Sequence, residues 1–315
     1  MKKTFFYSVI LCCLLSLSLI SMSMSMSQDT IKGKWTANVK NDKVIMRMTV
    51  IEDMDRDSSH GWNYCRTFKK GDFTGLIWGK AQPFKLVREP GTISFNGKFS
   101  NTQGEGDFTF YPGKKFVKFL ENKNFEKITS KKLLALCLND VNTRYVNDLF
   151  KLGYSSISLS KLIAFAIHDV SIDYIKGLQK LGYSELSASK LISFAVHDVT
   201  LEYIKKIHSL GFKDISPSKL ISFRVHDVKP GYIKELRDLG YSDISASKLI
   251  SFAVHGVSIE FIKDIHSVGF KDISPSKLIS FRVHGIDKSF IKHVQSKYDK
   301  ELSASKIISM KIHND

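Results

Sequence analysis

Residues Ser187–Phe212 read SASKLISFAVHDVTLEYIKKIHSLGF, and Ser216–Tyr241 read SPSKLISFRVHDVKPGYIKELRDLGY. The second stretch repeats the first after 29 residues. Two residue series fix the register. His168, His197, His226, His255, His284 and His313 stand 29 apart, as do Gly153, Gly182, Gly211, Gly240 and Gly269. A period of this length signals a stacked repeat rather than one globular core. Asn139 and Asn124 extend the two series backwards, so the segment 113–315 is read as seven copies. The ends are atypical, because Asn124 and Tyr298 replace the turn glycine.

Each copy carries start and stop signals for two short helices. Ser187, Ser216, Ser245, Ser274 and Ser303 stand where an N-cap hydroxyl accepts an unpaired backbone N–H. Pro217 and Pro275 follow at the first helical position, where proline forfeits nothing. Leu186, Ile215, Ile244 and Ile273 precede the caps, and Leu191, Leu220, Leu249 and Leu278 lie five residues later, the spacing of a hydrophobic staple. After the recurring histidine comes Asp140, Asp169, Asp198, Asp227, Gly256, Gly285 or Asn314, residues that tolerate the left-handed backbone of a helix stop. The second helix opens at Ser171, Thr200 or Ser258, or with Pro230, and closes on Leu-Gly-Tyr or Leu-Gly-Phe. Tyr203, Ile204, Ile207 and Leu210 recur at helical spacing. Helices this short need a neighbour to bury their apolar face. The expectation is an α-solenoid of helical hairpins.

Upstream, the composition changes. Residues 28–112 alternate apolar and polar positions between turn signals. Candidate strands are Lys34–Val39, Val44–Ile51, Trp62–Phe68, Phe84–Arg88, Thr92–Phe99 and Asp107–Tyr111. They predict a six-stranded antiparallel sheet or small open barrel, hence an α+β multidomain chain with a rigid junction near Pro112-Gly113. Trp35, Trp62 and Trp78 are read as core rather than as the walls of a ligand cavity.

Residues 1–27 have the form of a secretory signal peptide: Lys2 and Lys3, an apolar run from Phe5 to Ile20, then SMSMSMS ahead of Gln28. Retention as a membrane anchor is the alternative, although the run falls short of the ~20 residues a span needs. The expected location is therefore periplasmic or extracellular, with no stable membrane span after cleavage. Cys65 and Cys137 are the cysteines left, too few for a disulfide framework.

The stretches GKWTANV (Gly33–Val39), GTISFNGKF (Gly91–Phe99) and GEGDFTFYPG (Gly104–Gly113), followed by repeats with YIK or FIK, LGY and VHDV, resemble secreted and periplasmic bacterial proteins of unknown role. They also resemble the extracytoplasmic tail of antirepressor-type membrane metallopeptidases related to beta-lactamase sensors. The resemblance rests on capping and packing residues. The chain has no HExxH and no multi-span portion, so it implies architecture and a signalling accessory role, not peptidase activity.

Catalytic signatures are missing from the sequence: there is no GxSxG, no P-loop and no Gly-rich dinucleotide turn. Six histidines in register invite a zinc reading. Stacked helices lie about 8–10 Å apart, whereas each zinc ligand must approach to about 2 Å. The histidines are therefore read as closing helix C-termini, where a terminal carbonyl and the dipole favour them. Asp53, Asp55 and Asp57 lack the spacing of a calcium loop and read as a solvated turn. No catalytic residue, metal or cofactor is expected.

Charge carries more. The formal net charge is +16. One lysine ladder, Lys161, Lys190, Lys219, Lys248, Lys277 and Lys306, lies near the start of the first helix. Another, Lys176, Lys205, Lys234, Lys263 and Lys292, lies in the second. Stacking turns each into a basic stripe. The helix dipole disfavours a cation in the opening turn by about 0.3–1 kcal/mol, which is consistent with a contact role for the first ladder, the alternative being a solvated face that keeps the protein soluble. Duplication discounts the recurrence: Phe212–His226 and Phe270–His284 are identical, so units have been copied in pairs of 58 residues. The reading is an exported, non-enzymatic binding or scaffold protein whose stripes hold a protein or anionic envelope partner. Nucleic acid is disfavoured by export and by the intervening Asp173, Glu202, Asp214 and Glu235. The alternatives are a component of a membrane signalling system and an enzyme with an unrecognised site in the β domain.

Overall fold

The computed structural model describes residues 29–51, 62–298 and 302–313. The leader and the three alternating aspartates lie outside them. A curled antiparallel sheet, a half-barrel, is followed by a run of short helices, fourteen among the described residues.

Seven strands form the sheet: β1 (Ile31–Lys40), β2 (Lys43–Val50), β3 (Asn63–Lys69), β4 (Phe73–Thr74), β5 (Gln82–Arg88), β6 (Gly91–Ser100) and β7 (Gln103–Pro112). Their order is β3-β2-β1-β7-β6-β5-β4, so β1 and β7 lie at the centre and β3 and β4 at opposite edges. The two edge strands are nevertheless joined by one three-residue 3-10 turn, Lys70–Asp72. Three residues reach only about 10 Å even when extended, so the sheet must curl until its edges approach at that end. Phe68 of β3 and Phe73 of β4 meet there edge to face, with centroids 5.4 Å apart. The two-residue β4 is the strand beyond the six expected.

Burial alternates along β1 and β2, so one face of the sheet holds the core. Trp35, Phe84, Phe95, Phe99 and Phe108 fill it, with Trp35 edge-on to Phe84 and Phe95. Glycine makes room for this cluster: a Cβ on Gly104 would lie 2.5 Å from the Phe99 ring and 2.9 Å from Trp35.

The chain divides into two compact units. One contains the sheet with residues 114–120 and 128–138, and so takes in most of α1 (Lys114–Asn122) and all of α2 (Ser130–Leu138). Helix α2 packs on β6 and β7, the Arg88 guanidinium donates to the Cys137 carbonyl at 2.6 Å, and the Cys137 thiol faces the Gly91 carbonyl. Cys65 and Cys137 are both free thiols.

The other unit is the helical array: α3 (Thr143–Lys151), α4 (Leu159–Ile167), α5 (Ile172–Lys180), α6 (Ala188–Val196), α7 (Leu201–Ser209), α8 (Pro217–Val225), α9 (Pro230–Asp238), α10 (Ala246–Val254), α11 (Ile259–His266), α12 (Pro275–Val283), α13 (Lys288–Tyr298) and α14 (Ala304–His313). The even-numbered helices pack on one another in succession, and α3, α5, α7, α9 and α11 do likewise, giving two stacked layers. Phe165, Phe194, Phe223, Phe252 and Phe281 of the first-helix layer are fully buried, as are Ile175, Ile204, Ile233 and Ile262 of the second.

The caps follow the sequence. Ser158, Ser187, Ser216, Ser245 and Ser274 accept the N3 backbone N–H of their helices. Asp140, Asp169, Asp198 and Asp227 are left-handed, with φ of 53–55°, and Gly256 and Gly285 replace them at 64° and 62°. The next N–H returns to the helix, Val199 to Phe194 at 2.8 Å and Val228 to Phe223 at 2.7 Å, which closes a Schellman motif.

Candidate functional surfaces

The two lysine ladders lie on different layers. Lys161, Lys190, Lys219, Lys248 and Lys277 occupy the N3 position of α4, α6, α8, α10 and α12, and their N–H groups bond the capping serines. Lys306 does the same in α14. Two of these side chains are committed inside the array: Lys190 Nζ donates to Ser218 Oγ at 2.9 Å and Lys248 Nζ to Ser276 Oγ at 2.8 Å. These bonds link successive first helices.

Lys176, Lys205, Lys234, Lys263 and Lys292 sit in mid-helix on the second layer, and all are exposed. No lysine of either ladder forms an ion pair among the described residues. Other array cations do: Lys206 with Glu202 at 2.8 Å, Lys229 with Asp227 at 3.0 Å and Lys288 with Asp264 at 3.2 Å. The ladders are thus rows of positive charge without ion pairs, although, after Lys206, Lys205 also lies near enough to Glu202 to help lower its carboxyl pKa.

The histidine series is exposed, and each of His168, His197, His226, His255 and His284 is the C-cap residue of its helix. The bond to the helix comes from the backbone: His197 N donates to Ser193 O at 3.1 Å and His226 N to Ser222 O at 3.0 Å. The capping role belongs to the main chain, so the ring is free to face solvent. Among the described residues no cluster of His, Cys, Asp and Glu could hold a metal ion.

A polar network that the sequence reading did not anticipate ties successive units. Tyr145, Tyr174, Tyr203 and Tyr232 each donate a hydroxyl to a carbonyl 25 residues on, at Val170, Val199, Val228 and Val257, over 2.5–2.8 Å. Burial of these phenols raises their pKa. Tyr154, Tyr183 and Tyr241 reach 32 residues ahead, to Leu186, Ile215 and Ile273. Because Tyr183 donates to Ile215, the 3.1 Å contact with His208 makes the imidazole Nε2–H the donor, and the Tyr241–His266 pair repeats this. Burial raises Tyr183 and Tyr241 to about 12, and it lowers His208 and His266 below the ordinary imidazole range. An open groove of about 590 Å³ beside this pair is lined by Tyr183, Glu185, His208, Lys213 and Asp214. The sequence signal for the network was the recurrence of tyrosine at 174, 203 and 232, with phenylalanine at 261 and 290.

The three tryptophans do not share a cavity. Trp35 is core, and Trp78 stacks on Phe99 at 4.6 Å while its Nε1 donates to Asn101 O. Trp62 stands elsewhere, beneath the Lys131 ammonium.

No described helix is long and apolar enough to cross a membrane. No family model matches the chain, and no curated protein and no solved structure is significantly similar to it.

Proposed function

We propose that this protein is an exported, non-enzymatic scaffold that holds an elongated anionic partner of the cell envelope along its helical array. The observation that carries the reading is the ladder of exposed, unpaired lysines at one position in successive second helices, Lys176, Lys205, Lys234, Lys263 and Lys292. Lys190 and Lys248 already serve as links between units, so the second layer is the better-placed contact. A row of charges at regular spacing favours a partner with repeated negative groups, and its strength should fall as salt screens the exposed charges. Export rests on the N-terminal leader.

The experiment is retention of envelope extract on residues 28–315 at low and high salt. Lys205→Glu, Lys234→Glu and Lys263→Glu are combined in one variant, and Lys190→Glu, Lys219→Glu and Lys248→Glu in another. Salt-sensitive retention, lost most in the first variant, supports the reading. Retention that survives both variants, or that resists salt, removes it.

A further inference from the structure

Two large apolar side chains stand side by side in solvent at one end of the sheet. Ile77 is 51% and Trp78 38% exposed, in the loop 75–81 between β4 and β5. Gly75 and Gly79 bracket them at φ 80° and 77°, a backbone region that a side chain would strain. The loop is tied to its surroundings. Trp78 lies on Phe99 with ring centroids 4.6 Å apart, and its Nε1 donates to Asn101 O in the β6–β7 turn at 3.1 Å. The same turn receives Val39 N at Thr102 O over 2.7 Å, and Lys70 N of the β3–β4 link donates to Asp42 O in the β1–β2 turn at 3.2 Å. The chain connections at this end thus form one tied cluster. Helix α2 is held at the opposite ends of β5 and β6, through Arg88 and Gly91.

The ground around this tip is basic. Lys40 stands opposite Lys43, and Lys43 opposite Lys69, so three lysines share one row across β1, β2 and β3. Directly opposed like charges weaken a strand pair. The Lys70 ammonium lies over the Trp78 ring, 4.9 Å from its centroid, and Lys80 closes the loop. All of these lysines are exposed, and none forms an ion pair among the described residues. Asp42 and Asp72 are the acids of these connections, and the Asp72 carboxylate already accepts the Lys69 backbone N–H at 2.9 Å.

An exposed indole beside an aliphatic side chain, surrounded by lysines, has the composition of a segment that sits at a bilayer interface. The Trp78 N–H is bonded to Asn101, so no donor is left unmade when the ring loses water. Lys70 can run its stem along the ring and keep its ammonium among headgroups. We propose that this end of the sheet rests on an anionic lipid surface, with Ile77 and Trp78 in the headgroup–acyl boundary and the lysine row against the lipid phosphates. A negative surface relieves the repulsion within the Lys40, Lys43 and Lys69 row. A soluble polyanion would relieve it too but would leave Ile77 and Trp78 in water, and the apolar tip is what favours lipid. The contact is separate from the lysine ladder of the array, and neither reading depends on the other.

The test is co-flotation of residues 28–315 with vesicles of phosphatidylglycerol and phosphatidylethanolamine in equal parts, against vesicles of phosphatidylcholine alone. Binding to the anionic vesicles should be at least ~100-fold tighter than to the neutral ones. Ile77→Asp leaves every lysine in place, at a half-exposed position that the sheet does not need for its core, and should weaken binding at least ~10-fold. Lys43→Glu with Lys69→Glu should weaken it at least ~100-fold. Quenching of tryptophan fluorescence by lipids brominated on their acyl chains reports insertion itself. It should appear in Trp62→Phe, vanish in Trp78→Phe because Trp35 stays in the core, and persist when Lys205, Lys234 and Lys263 are reversed to glutamate. No binding to the anionic vesicles, binding without quenching of Trp78, quenching lost with the array lysines, or binding unmoved by Ile77→Asp overturns the proposal.

Discussion

Replacement of Tyr203 by phenylalanine tests how the units are coupled. The Tyr203 hydroxyl donates to the Val228 carbonyl at 2.8 Å, and the side chain is 7% exposed. Removing the hydroxyl deletes one hydrogen bond, about 1 kcal/mol net, and leaves a largely buried carbonyl short of a donor, which adds about 1 kcal/mol more. The expected loss is therefore about 1–2 kcal/mol, and it falls on the interface between neighbouring units rather than within one. In a linear array, stability is a sum of unit and nearest-neighbour terms, so a weakened interface broadens the unfolding transition as well as lowering its midpoint. Urea unfolding of residues 28–315 followed by helical circular dichroism measures both effects. The array supplies the converse experiment, because Phe261 occupies the equivalent position two units on. Phe261→Tyr should donate to Ile286 and gain up to about 1 kcal/mol. Unchanged midpoint and slope in Tyr203→Phe would refute the coupling argument.

Alkaline pH should loosen the same ties. Tyr183 and Tyr241 titrate near 12 in the folded chain against about 10 when unfolded, so folding favours the protonated phenol. Their contribution is complete below pH 10 and is lost as pH rises toward 12; thermal melts across that window should show the decline, made shallower by Tyr183→Phe with Tyr241→Phe. Asp169 holds φ 53°, so Asp169→Val should cost about 1–2 kcal/mol in chemical denaturation while Asp169→Gly stays within a few tenths, since Gly256 and Gly285 already fill that position. Gly104→Ala should destabilise the sheet unit by about 1–3 kcal/mol, because its Cβ would meet the Phe99 and Trp35 rings; loss of near-ultraviolet tryptophan dichroism at lower urea is the readout.

The helical array was legible in the sequence because its signals are local. A capping serine, a proline at the first turn and a glycine or aspartate at the stop each act within a few residues, and 29-residue recurrence repeats the message. The sheet was legible as alternation, but its strand order and its short edge strand were not. Phe73-Thr74 is too short to show a period, and the order of the sheet rests on contacts far apart in sequence: β1 pairs with β7, Ile31 with Phe110 and Lys32 with Thr109, while one short link joins the two edge strands.

The ladders were visible as spacing, and the sequence pointed to the first as the contact because its lysines stand in the opening turn. Only coordinates separate Lys190, which reaches Ser218, from Lys205, which is exposed and unpaired. The tyrosine ties were hidden for a different reason. A hydroxyl reaching a carbonyl 25 residues away depends on how units stack, and Tyr203 reads equally well as a plain apolar position. The exposure of Val196 was hidden too, because it looks like core at the end of an apolar run, although half of it is exposed.

The most direct test of the central claim is the salt dependence of binding to dextran sulfate, a flexible polyanion, for residues 28–315 and two charge-matched variants. One combines Lys205→Glu, Lys234→Glu and Lys263→Glu; the other combines Lys32→Glu, Lys34→Glu and Lys40→Glu on β1. The account predicts a steep fall of log affinity with log salt for the parent chain, as when a polyanion's counterions are released. It further predicts a much flatter slope and weaker binding for the ladder variant, with the β1 variant close to the parent. Equal losses in both variants would mean that net charge alone governs binding, and that result would contradict a lysine ladder as the holding surface.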